Sequence, residues 1–316
     1  MLSHSLKMHK MEVKSPLALE DQQRFWRRMH HHFLHQETLR ENRKNMVWVD
    51  VIYRPNEPWE VYFSAPAEIT PNLAKWFRKD RKRVNKLDVD IQLIDPEILS
   101  IPNGLSVCEL KLAFDNLFAL PLDTPSLLPE KLPLNEGEAA IVSFCFIPIP
   151  AVKWNLHKSN LLHSKMEQGI RKGRGRVEAV GWLGLLLYYL GQWIGRFLPD
   201  KFPSAPEDIG LSKGTLRKLN DCHFQSYIRI AAPQRVIPKL ARVFQGEGGE
   251  NHLLVTFMPR KEGKTALTEI SEKKLHFLTR NDLNPNILGS REIASLLSFF
   301  PCTRKVNQEL ASPNLK

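Results

Sequence analysis

The sequence predicts an α+β fold of two small antiparallel α/β sandwich units in the ferredoxin-like style, separated by helices and one apolar helix. Three observations predict it. Short β-type runs alternate with stretches of helical spacing between residues 46 and 150 in the order strand, strand, helix, strand, strand, short helix, strand. A second, smaller strand-helix-strand pattern recurs between residues 199 and 300. Between the two lies Val177–Leu198, the most apolar stretch of the chain, with no charge from residue 179 to 195.

The chain is 316 residues long, 42% apolar and 25% charged, a globular composition with room for two modest domains. Its net charge of +11 and pI near 9.5 favour a polyanionic partner, either nucleic acid or an anionic membrane surface. Cys108, Cys145, Cys222 and Cys302 stand far apart, at neither metal-ligand nor disulfide-scaffold spacing, and read as reduced thiols. Met1–Lys14 lacks the continuous apolar core of a secretory signal.

Residues 1–45 are expected to form a basic helical N-terminal segment. From Pro16 to about Lys44, Phe25, Trp26, Met29 and Phe33 recur at helical spacing among Arg24, Arg27 and Arg28. His31 and His35 could share a helical face, but no acidic or Cys ligand accompanies them, so no metal site is expected. The first α/β unit, 46–150, opens with runs Met46–Tyr53 and Trp59–Ser64. The turn residues between them, Arg54 to Pro58, make a hairpin. Thr70-Pro71 starts a helix whose outer face carries Lys75, Arg78, Lys79, Arg81, Lys82, Arg83 and Lys86. Such a run is either a solvated face or a surface for phosphate or lipid headgroups. Val89–Ile94, Leu105–Leu112 and Ala139–Ile147 are the remaining strands, the last continuously apolar.

Residues 151–176 read as a basic helix, anchored by Trp154 and Leu156 and carrying Lys158, Lys165, Arg171, Lys172, Arg174 and Arg176 toward the apolar segment 177–198. Within that segment Trp182, Tyr189 and Trp193 share one helical face, and Leu185 and Leu186 add to its membrane or packing surface. Three readings stand: a buried or self-associating helix, a helix lying in the membrane interface, and a single span. Minimum length, Gln192 and several glycines weigh against the span, and unpaired Cys222 and Cys302 suit a reducing compartment, so both halves are expected in the cytoplasm. In the second unit, 199–300, Lys213–Asn220 is helical and Phe224–Ala231 a strand. A Pro-initiated helix, Pro233–Phe244, and the strand Leu253–Phe257 follow, then Leu275–Leu278 and a helix Ser290–Phe300. Residues 301–316 read as a linker-like tail.

Enzyme signatures are sparse. Strand Leu253–Phe257 runs into Met258-Pro259-Arg260-Lys261-Glu262-Gly263-Lys264-Thr265, the outline of a phosphate-binding loop. Met258 occupies the place of its first glycine and Pro259 removes a backbone donor, which spoils the cradle of amides. A nucleotide hydrolase using Gly263, Lys264 and Thr265 is therefore the weaker alternative. The sequence has no His-Glu-x-x-His pair and no Cys-x-x-Cys, so no catalytic residue and no cofactor are expected.

Several stretches, taken in order, resemble the N-terminal region of the type IV secretion and conjugative DNA-transfer ATPases, relatives of the HerA and FtsK translocases. They are Leu134-Asn135-Glu136-Gly137-Glu138-Ala139-Ala140 with the strand through Pro148, then Trp154 and a basic helix; Phe224 to Ile230 with the following helix; Gly249-Glu250-Asn251-His252-Leu253; Ile287 to Leu296; and Phe299-Phe300-Pro301. The tail Ser312 to Lys316 resembles the linker that enters the motor. That motor's ATP-binding residues have no counterparts here, so the resemblance implies a non-motor module. It would contact a translocase motor or other secretion subunits, the membrane surface, non-specific DNA and further copies of itself. A membrane-associated structural protein is the alternative.

Overall fold

Nine strands join into one antiparallel sheet in a computed structural model that describes residues 6–13, 19–35, 46–57, 59–67, 89–94, 101–102, 104–121, 131–167, 212–245, 250–276, 279 and 284–297. The strands are β1 (Leu6–Val13), β2 (Val47–Tyr53), β3 (Glu60–Pro66), β4 (Val89–Ile94), β5 (Ser106–Leu112), β6 (Ala140–Ile149), β7 (His223–Ala232), β8 (Leu253–Phe257) and β9 (Asn286–Gly289). The helices among the described residues are α1 (Leu19–His35), α2 (Ala151–Glu167), α3 (Lys213–Leu219), α4 (Ile237–Gln245), α5 (Arg260–Glu272) and α6 (Ser290–Leu296). The α+β class and the antiparallel pairing agree with the sequence.

The order across the sheet is β4-β1-β3-β2-β6-β7-β5-β8, with β9 beside β7. β6 and β7 pair along their length, from Ile141 opposite Ala231 to Ile149 opposite His223. β5, from the first stretch, lies between β7 and β8 of the second. The strands of the two expected α/β units therefore share one sheet instead of closing two. The physical reason lies in β6 and β7, which are buried almost throughout on both faces and so need neighbours on both edges and cover above and below.

On the far edge of β7, β5 pairs with the C-terminal half and β9 with the N-terminal half. Asn286 fastens the junction. Its Oδ1 accepts the Leu112 N–H (2.9 Å) and its Nδ2 donates to the Leu110 carbonyl (2.8 Å). The β2–β3 hairpin forms as expected, closed by Glu57 N–H to the Arg54 carbonyl (3.2 Å), with Asn56 left-handed at φ 60°. Leu6–Val13, expected within a basic helical segment, is instead a strand between β3 and β4.

One face of the sheet carries Val49, Val51, Phe63, Val142, Phe144, Phe146, Ile228 and Ile230 into a common core with α1, α4 and α6. Trp26 of α1 meets Phe146 and Phe224 edge to face, at ring centroids of 4.9 and 5.9 Å. The opposite face is covered by Ala266 and Ile270 of α5 above Trp48, Ile141, Cys145 and Tyr227. That face also buries charge: Lys273 Nζ lies 2.8 Å from Asp50 Oδ2, and Arg229 pairs with Glu269. Among the described residues no helix is long and apolar enough to cross a membrane.

Candidate anion-binding cleft

Three short pieces of chain, remote in sequence, meet beside the β7–β9 end of the sheet. Ser212 caps α3, its Oγ accepting the Thr215 N–H (3.1 Å), and Glu250 in turn accepts the Ser212 N–H (3.0 Å) and hydroxyl (2.7 Å). α3 ends at Asn220, which brings Asp221 to the start of α6. α6 follows β9 directly, and the Gly289 N–H donates to Glu292 Oε2 (2.6 Å) across that first turn. A Cβ on residue 289 would stand 3.2 Å from Asp221 Oδ2, so glycine lets the two elements approach.

Asp221 is the hub. It accepts the Ser290 hydroxyl on both oxygens (2.7 and 2.8 Å), the backbone N–H of Arg291 (3.0 Å) and Cys222 (2.9 Å), Arg27 Nε (3.1 Å) and Gln23 Nε2 (3.4 Å). Burial opposes its charge, but these donors and Arg27 together hold its carboxyl below the usual range, so it is an anion. Behind it, Lys218 donates to Glu292 Oε1 (3.1 Å) and to the Phe118 carbonyl (3.1 Å), with both charged side chains 2% exposed. Burial lowers the Lys218 pKa and Glu292 works against that shift. Glu292 Oε1 also accepts the Leu120 N–H (2.8 Å).

In front of this frame opens a cleft of about 550 Å³ between α1, α3 and α6. Its charged lining is four cations, Arg27, Arg217, Lys218 and Arg291, against two carboxylates, Asp221 and Glu292. Asp221 neutralises Arg27, and Glu292 neutralises Lys218. The excess positive charge rests on Arg217 and Arg291, for neither of which an ion pair occurs among the described residues. Arg291 Nε is buried and has no hydrogen-bond acceptor. The carboxylates and Lys218 have their hydrogen-bonding positions taken, which suits the cleft to binding an anion rather than to moving protons.

The chain matches no family model and no curated protein sequence.

Most of the site residues expected from sequence lie outside the described residues. Lys75, Arg78, Lys79, Arg81, Lys82, Arg83 and Lys86 lie outside the described residues, as do Arg171, Lys172, Arg174, Arg176, Trp182, Leu185, Leu186, Tyr189 and Trp193. Lys158 stands half-buried on α2, and Lys165 is in α2 with its side chain outside the description. Gly263, Lys264 and Thr265 sit inside α5, which begins directly after Pro259. The Thr265 hydroxyl donates to the Lys261 carbonyl (3.3 Å) along the helix, and no loop separates β8 from α5 to wrap a phosphate. Among the described residues no group of His, Cys, Asp and Glu is arranged for a metal. The cleft residues Arg27, Arg217, Asp221 and Arg291 were not singled out as a site from sequence, because they come from three stretches separated by 190 and 70 residues, Arg27 to Arg217 and Asp221 to Arg291, and share no local pattern.

Proposed function

We propose that the chain is a non-catalytic accessory or N-terminal module of a type IV secretion or conjugative DNA-transfer translocase. It docks beside the motor or its neighbours at the inner membrane face, and meets DNA through backbone phosphates without reading bases. The observation that carries this reading is that the stretches resembling that family, in the same order, are here neighbours in space. The Leu134–Ala140 stretch leads into β6, whose partner β7 is the Phe224–Ile230 stretch, and Ile287 to Leu296 form β9 and α6 against β7. Gly137, with φ of 78°, makes the turn before β6, closed by the Glu138 N–H to the Asn135 carbonyl (3.1 Å). Asn251 holds the loop after β5, accepting the Phe114 N–H (3.0 Å) and donating to the Asp115 (3.1 Å) and Phe118 (3.2 Å) carbonyls. Stretches of one family pattern that build one contiguous substructure support a common scaffold better than scattered coincidences would.

Two further features favour binding over catalysis: the net charge of +11, and a cleft whose carboxylates are committed to internal bonds. Fluorescence anisotropy of the full chain with labelled duplexes of unrelated sequence tests the reading. The expected result is similar affinity for each duplex, falling linearly on a log–log plot against salt, since each neutralised phosphate releases counterions. Affinity that ignores salt, or no binding at low ionic strength, overturns it.

A further inference from the structure

We infer that the cleft between α1, α3 and α6 is where this protein takes hold of the nucleic-acid backbone, with Arg217 and Arg291 as its phosphate ligands. The inference rests on the DNA-contact reading above and names the residues that perform it.

Charge selects the ligand class. With Arg27 and Lys218 each balanced by a carboxylate, the cleft holds two uncompensated guanidinium groups, and an anion entering it meets attraction from both. Guanidinium is the side chain suited to this ligand, because its planar fork gives two parallel N–H···O bonds to a phosphate where an ammonium gives a point contact. Arg291 lines the same cleft and, unlike Arg27 and Lys218, is paired with no carboxylate among the described residues. Arg27 joins the same lining. Its Nε is committed to Asp221, which fixes the guanidinium from behind, while 56% of the side chain remains exposed.

Form selects the source of the phosphate. A concave cleft of about 550 Å³ admits a phosphate projecting from a backbone that runs along its mouth, whereas a bilayer presents a flat sheet of headgroups to its rim. The rim also carries Leu216, an apolar side chain 48% exposed on α3, next to Arg217. It can pack on a sugar or base face beside the phosphate without distinguishing sequence. The frame behind the arginines is rigid, since Asp221 and Glu292 between them tie α1, α3, α6 and the 118–120 turn together. The ligands are thereby held in place before DNA arrives, which limits the ordering cost on binding.

The test measures binding of a labelled oligonucleotide to the full chain by anisotropy across a salt series. It compares wild type with Arg217→Ala, Arg291→Ala and, as a control of equal charge change, Arg242→Ala on an exposed position of α4 outside the cleft. Each cleft substitution is expected to weaken binding about tenfold and to make the salt slope shallower by about 0.9, the signature of one lost phosphate contact. Arg242→Ala is expected to change affinity less than threefold, the residual effect of one distant charge. Urea midpoints within error of wild type show that the variants fold. Wild-type binding with both cleft variants no weaker than Arg242→Ala overturns the assignment of the cleft and leaves the DNA reading standing. Absence of wild-type DNA binding overturns both. Capture by phosphatidylglycerol vesicles that is lost with the same two substitutions, while DNA is not bound, overturns the inference in favour of a lipid headgroup.

Discussion

Lys218 and Glu292 face one another with 2% of each side chain exposed, and what they do for the fold depends on their being charged together. Removing one partner from a buried pair leaves the other charge unbalanced, at a cost of about 3–5 kcal/mol. Lys218→Met should therefore lower stability by about that amount, read from the urea midpoint and slope. Glu292→Gln placed on that background should recover part of it, because the lone carboxylate is gone while an amide oxygen still accepts the Leu120 or Gly289 N–H. A loss below about 1 kcal/mol in Lys218→Met would mean that the pair is not buried. None of this partnership was legible in the sequence. Lys218 ended a basic helix and Glu292 began a family-like one, and the pairing arises only because β9 brings α6 beside α3. The same holds for the cleft, whose arginines come from three elements. Clusters such as Lys75 to Lys86 stand out to a reader of sequence because they are contiguous, whereas a site assembled by tertiary structure leaves no run of charge.

Helix α2 is anchored near its start by Trp154. Its Trp154 stacks on His223 with ring centroids 3.7 Å apart, donates Nε1–H to the Leu219 carbonyl (3.3 Å) and joins Leu117, Ile149, Leu219 and Ile287 in a small cluster. Three imidazoles surround this anchor. His157 packs on Trp154 at 5.8 Å, and His30 Nε2 donates to the Ile149 carbonyl (3.0 Å). Burial is the first cause in each case, and it lowers the pKa of His30 and His157 and brings His223 down to about 3. Among the charged neighbours, Lys218 lowers His157 and His223 further, whereas Asp115 raises His157 and Asp221 raises His30 and His223. The sign follows from linkage. The folded protein keeps these rings neutral while the unfolded chain protonates them near pH 6.5, so their contribution is fully present above 6.5 and is lost as pH falls toward the folded values. Each such histidine steepens the loss by up to about 1.4 kcal/mol per pH unit. Urea midpoints between pH 6.5 and 5, above the range where unfolded carboxylates titrate, should fall more steeply in wild type than in His223→Phe, which keeps an aromatic ring against Trp154. Equal slopes would show that His223 titrates alike in both states. At this scale the sequence was more informative. The strands β2, β3, β4, β5, β6, β7 and β8 lie within two residues of the expected runs, since alternation or unbroken apolarity marks a sheet position. β1 escaped because Lys7, His9, Lys10 and Glu12 interrupt its apolar residues, and β9 because four residues give too little pattern.

Across the whole molecule, the sheet constrains topology more tightly than composition can. The expectation of two units came from reading each strand cluster as locally complete, yet β6 precedes the apolar stretch 177–198 in the chain and β7 follows it, and the two pair residue by residue from Ile141–Ala231 to Ile149–His223. An antiparallel ladder of this length needs its strands about 5 Å apart. A bilayer's hydrocarbon is about 30 Å thick. The chain before residue 177 and the chain after residue 198 must then lie on the same side of any membrane, and one crossing between them is incompatible with the sheet. Protease added to sealed spheroplasts makes this measurable. Residues 46–150 and 199–300 should share one fate, both cut or both spared, and the proposed place beside a cytoplasmic motor predicts that both are spared until the membrane is opened. Cleavage within 199–300 while 46–150 remains intact in sealed spheroplasts would separate the halves across the bilayer and break the β6–β7 pairing on which the cleft, through β7, β9 and α6, is built.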